Sequence, residues 1–72
     1  MKVISEITGQ EYEAEECLNI PNMLQNFKYL QTGLVNKELV DIVCGKNDKL
    51  IFVWKKSPIM SQLYDLWCNH EL

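Results

Sequence analysis

The sequence predicts a small α+β domain, and three observations carry that expectation. Residues 50–54, Leu-Ile-Phe-Val-Trp, form an unbroken β-branched and aromatic run just after Gly45-Lys46-Asn47-Asp48, which together read as turn and strand. Ser57-Pro58 precedes a segment whose apolar residues recur at intervals of three and four, the mark of a capped amphipathic helix. The chain has 72 residues, 47% apolar and 24% charged. That suffices for one hydrophobic core with the balance of a globular protein, so a single domain over 1–72 is expected.

The elements follow in order. Val3, Ile4 and Ile7 lie in a first extended segment, and Thr8-Gly9-Gln10 turns it back into a short strand at 11–13, giving a short N-terminal hairpin. Residues 14–18 form a helical turn, with Glu15 and Glu16 where a helix N-terminus favours negative charge. Pro21 suits the first position of a helix over about 21–32, and Gly33 its left-handed end. There Ile20, Met23, Leu24, Phe27 and Leu30 make one stripe opposite Gln25 and Lys28. That stripe is expected to face the core.

Residues 39–43 read two ways. Asn36 could cap a helix closed by Gly45, whereas Val40, Ile42 and Val43 prefer a pleated strand. The strong strand that follows favours an antiparallel hairpin of about 38–44 and 49–55. On its second strand, alternation puts Leu50, Phe52 and Trp54 on one face and Ile51 and Val53 on the other. Both faces are apolar, so either helices cover one and the N-terminal hairpin the other, or a partner does. The C-terminal helix spans about 58–70. Ile59, Met60, Leu63, Tyr64, Leu66 and Trp67 fall within one arc of about 160°, wide enough to pack on a sheet with an aromatic edge left over.

Composition excludes several functions. The longest apolar run is five residues, far below the roughly 20 needed to span a bilayer. The N-terminus turns polar before any signal core forms, so a cytoplasmic protein is expected. Cys17, Cys44 and Cys68 are odd in number and widely spaced, which suits a reducing compartment better than a disulfide framework. Net charge is −3 and every cation is lysine. Without arginine the chain lacks the best residue for bidentate contact to guanine or phosphate, which makes nucleic acid an unfavoured partner.

Asn26-Phe27-Lys28-Tyr29-Leu30 before Gly33, then Leu39-Val40-Asp41-Ile42, residues 49–54, and Ser57 onward to Trp67 resemble uncharacterised domains of small phage and mobile-element proteins, which read as helix, β-hairpin, helix. Ile7-Thr8-Gly9-Gln10-Glu11-Tyr12 followed by Glu15-Glu16-Cys17-Leu18 is similar to the start of many short phage-encoded proteins. The resemblance implies an accessory gene product of a phage or mobile element, with no catalytic residues to transfer.

Groups that could carry chemistry are sparse. Cys17, Cys44, Cys68 and His70 could supply a tetrahedral zinc set, but they lack the paired short spacings of structural zinc sites, and on one helix Cys68 and His70 point apart. No metal or cofactor is expected. His70 alone, with no nucleophile presented to it, reads as a packing or capping residue, and no glycine-rich phosphate loop is present. Glu11, Glu13, Glu15 and Glu16 form a solvated acidic face that could also steer a partner or imitate nucleic acid. The expected function is therefore non-catalytic protein binding that modulates a host or phage protein. The contact is assigned to Trp54, Tyr64 and Trp67 with steering by the glutamates, and a homodimer is a further expectation. The alternative is a nucleic-acid regulator using Lys46, Lys49, Lys55 and Lys56.

Overall fold

The run at 50–54 lies at the centre of a sheet in the structure, a computed structural model that describes residues 1–35 and 37–72. Asn36, weighed above as a helix cap, lies outside the described residues. The strands are β1 (Lys2–Ile4), β2 (Glu11–Glu13), β3 (Cys17–Ile20), β4 (Leu39–Cys44) and β5 (Leu50–Lys55), and the helices are α1 (Met23–Gln31) and α2 (Pro58–Cys68). β1 and β2 form the N-terminal hairpin, while β3, β5 and β4 form an antiparallel sheet in that order. The α+β class, both hairpins and both helices agree with the sequence. β3 is an addition: the helical turn foreseen at 14–18 is a single 3-10 turn, Ala14–Glu16, after which the chain extends beside β5.

Both faces of β5 are covered within the chain over residues 52–54. Phe52 and Trp54 point to the helices, joined in the core by Ile20, Tyr29, Val35, Met60 and Leu63. Val53, only 2% exposed, pairs with Asp41 on the opposite face, where the N-terminal hairpin sits. A register shift between Leu39 and Asp41 lets Leu39 pair with Trp54 and join the helix-side packing. The extra residue of such a bulge restores a side chain to the face it would otherwise miss.

The hairpin is fastened at one buried carboxylate. Asp41 Oδ2 accepts from the Tyr12 hydroxyl at 2.7 Å, and Oδ1 accepts from the backbone N–H groups of Glu6 and Ile42, each at 2.9 Å. Ser5 donates to the Val40 carbonyl at 2.6 Å. Burial alone would raise the Asp41 pKa, but the hydrogen bonds from Tyr12, Glu6 and Ile42 outweigh it and hold the carboxyl below its ordinary value. The same contact, added to desolvation, pushes Tyr12 up to about 12.

Local chemistry sets the helix ends. Asn22 caps α1 by accepting from the Gln25 N–H at 3.2 Å, so the helix starts at Met23, two residues later than expected, and Pro21 lies before it rather than at its first position. Gly33 ends it at φ +70°. Ser57 caps α2 with Pro58 at its first turn, as predicted. α2 stops at Cys68 rather than at 70, because His70 takes φ +58° and the Glu71 N–H reaches back to the Leu66 carbonyl at 2.8 Å. This Schellman closure occurs without the usual glycine.

The orientation of α1 is the largest departure. Met23, Leu24, Phe27 and Leu30, expected in the core, are all exposed, and only Ile20 of that stripe is buried, as part of β3. The helix turns Gln25, Asn26 and Tyr29 inward instead. Asn26 Oδ1 accepts from the Trp54 indole N–H at 2.8 Å, and its Nδ2 donates to the Ile20 carbonyl at 3.0 Å. Gln25 Nε2 donates to the Tyr29 hydroxyl at 2.8 Å. A buried indole N–H needs an acceptor, and an inward apolar stripe would have supplied none.

Candidate functional site

β3 is an edge strand, and between it and α2 lies an open groove of about 410 Å³ lined by Leu18, Asn19, Ile20, Lys56, Ser61, Tyr64 and Asp65. Leu18 and Ile20 form its apolar floor because alternation turns both toward the helix side of the sheet, opposite Trp54 and Phe52 in register. Tyr64 forms part of the wall from one turn of α2 and is 45% exposed. Lys56 and Asp65 place opposite charges on the lining. An edge strand beside an apolar groove can accept an extended peptide: the backbone supplies hydrogen bonds and the groove receives alternate side chains.

The residues assigned to partner contact divide. Tyr64 lies in this groove, and Trp67, three residues on, is half-buried against the core. Trp54 is withdrawn from any surface: it is 0% exposed, edge-on to Tyr29 with ring centroids 5.6 Å apart, and bonded to Asn26. Its alternation with Phe52 had placed it toward the helices, and its indole N–H is satisfied internally.

The glutamates do not form an unbroken acidic face. Glu13 and Glu15 flank the terminal amine, Glu13 at 3.2 Å, and Glu11 stands 4.0 Å from Lys2. These pairs are exposed and contribute little to stability. The Lys56 Nζ donates to the Glu15 carbonyl at 3.2 Å, which brings the end of the acidic run beside the groove. The hairpin lysines do not converge. Lys46 and Lys49 lie at the turn, and Lys55 and Lys56 lie at the far end of β5, about 20 Å away by strand rise. Trp54 cannot stack a base between them while it remains buried.

Cys17 is half-buried, Cys44 and Cys68 are exposed, and all three are free thiols. Burial, reinforced by the Glu16 charge, pushes the Cys17 thiol above its ordinary range, the reverse of an activated nucleophile. Among the described residues no group of three or more His, Cys, Asp or Glu side chains is placed to hold a metal ion, and no helix is long and apolar enough to cross a membrane.

Two features were missed from the sequence. One is the edge position of β3, whose signal was the apolar-polar alternation of Leu18-Asn19-Ile20 before Pro21. The other is the outward face of α1. Leu50 continues that face beside Met23, where the two share a second groove of about 380 Å³ with Pro21 and Lys49. No protein family, curated protein or solved structure matches this chain.

Proposed function

We propose that the chain is a non-catalytic interaction protein, an accessory protein of a phage or mobile element, that modulates a host or phage protein by holding one of its extended segments in the β3–α2 groove. The observation that carries this reading is the open apolar groove beside an edge strand, with Tyr64 exposed on its wall. Lys56 and Asp65 give the groove a polarity that would fix the direction of a bound strand. Glu15 and Glu16, exposed at the end of β3, add long-range attraction for a partner carrying basic residues. The source and the class of partner rest on the resemblance to small phage proteins.

Affinity capture from a bacterial lysate, with the wild-type chain and Tyr64→Asp as parallel baits, tests the proposal. The expected result is a protein retained by the wild type and depleted about tenfold or more by the variant, the factor corresponding to loss of one buried aromatic contact. Capture of nothing, or equal retention by both baits, would overturn it.

A further inference from the structure

α1 presents an apolar surface that no other element covers among the described residues. Met23, Leu24, Phe27 and Leu30 are 46–58% exposed, and Leu50 beside them is 47% exposed. Together they leave on the order of 500 Å² of side-chain surface in water, toward the upper end for the largest patch of a monomer. Met23, Phe27 and Leu30 follow the four-three spacing of a helix-packing seam, with Leu24 at its flank. That spacing is the one by which one helix receives the ridges of another.

Charge narrows the occupant. No Asp or Glu occurs between residues 17 and 37, and the only charged residue in α1 is Lys28. The seam therefore offers nothing to select an acidic or basic partner, and two copies of it meet without carboxylate repulsion. Size agrees. Two such faces bury about 1,000 Å², the threshold for a specific interface, before any surrounding rim is counted. A twofold dimer, in which the same patch meets itself, is the commonest closed arrangement of identical chains.

We infer that the outward face of α1 is the interface of a homodimer, in which α1 packs antiparallel against α1 of a second copy. This assignment uses a surface separate from the β3–α2 groove and does not depend on what that groove binds. It also accounts for the inverted helix: the uncharged amides satisfy Trp54 and Tyr29 inside, while the apolar seam becomes core between two chains.

Sedimentation equilibrium of the full chain up to about 1 mM tests the inference. The wild type is expected at twice the monomer mass of 8.5 kDa. Phe27→Glu combined with Leu30→Lys is expected to weaken association about a hundredfold or more, while Tyr64→Asp keeps the dimer. A wild type that stays monomeric, or a seam variant that stays dimeric, would overturn the interface without touching the groove. If the seam variant does not fold, mixed labelled and unlabelled wild-type chains decide. Intermolecular NOEs at the methyls of Met23, Leu24 and Leu30 support the interface, and their absence overturns it.

Discussion

Asn26→Ala is expected to destabilise the fold by about 3 kcal/mol, combining an unsatisfied buried indole N–H with the volume lost at a closed site. Asn26 is 0% exposed and is the hydrogen-bond partner of Trp54 Nε1, while its amide also holds the Ile20 carbonyl at the end of β3. A domain of 72 residues has a total stability of roughly 4–10 kcal/mol, so this one side chain accounts for a large share of it. Urea unfolding followed by tryptophan fluorescence measures the loss. Phe27→Ser is the companion measurement, made at a chain concentration low enough to keep the protein monomeric, and is expected to change stability by no more than about 0.5 kcal/mol because the ring is 57% exposed in the monomer. The opposite ranking, with Phe27 costly and Asn26 neutral, would mean that α1 packs by its apolar stripe after all.

Asp41→Ala has an expected cost of similar size, about 3 kcal/mol, because it leaves the N–H groups of Glu6 and Ile42 and the Tyr12 hydroxyl without their acceptor beneath the hairpin. Its signature is a pH window. The folded Asp41 pKa lies below the ordinary 3.8, so its contribution is complete above that value and is lost as pH falls through the folded pKa. Tyr12 has the opposite sense. Its folded pKa is raised from 10.0 to about 12, so its contribution is complete below pH 10 and is lost as pH rises toward 12. Stability measured from pH 2 to 12 should fall at both ends in the wild type. Tyr12→Phe should abolish the alkaline fall and, by removing one hydrogen bond to Asp41, lessen the acid one. Asp41→Ala should lessen the acid fall and, by removing the Tyr12 partner, part of the alkaline one. An acid limb unchanged in Asp41→Ala would sink the assignment.

The legible parts of this fold were those where local rules agree. Ser57-Pro58, Gly33 and the Gly45-Lys46-Asn47-Asp48 turn marked element ends correctly because each satisfies a backbone need that few residues can meet, including the positive φ of Asn47 and Asp48. β3 was not read because four residues before a proline give too short an alternation to stand out from a loop. α1 was read with the wrong face inward because apolar periodicity identifies a stripe without saying what covers it. A clue to its orientation lay in the polar side: Gln25, Asn26 and Tyr29 share an uncharged arc, whereas a helix face meant for water usually carries acids and bases. For the same reason Trp54 was assigned to a surface when its indole already had a buried acceptor. Tyr64 is exposed, as the aromatic edge of the helix implied, because α2 carries more apolar residues than its contact with the sheet uses.

The two tryptophans are placed in contrasting surroundings. Trp54 is clamped edge-on to Tyr29 and nearly parallel to Phe52, with centroids 5.6 and 6.4 Å apart, whereas Trp67 is only half-buried near the end of α2. A rigid aromatic triad in an asymmetric setting generates near-ultraviolet circular dichroism that disappears when tertiary packing loosens, even while helices and strands persist. Trp67, in partial contact with water, is expected to emit at longer wavelength than Trp54. The chain thus contains two optical reporters, one for the interior and one for the rim, and a stopped-flow trace that follows both would time the locking of the core separately from the docking of α2.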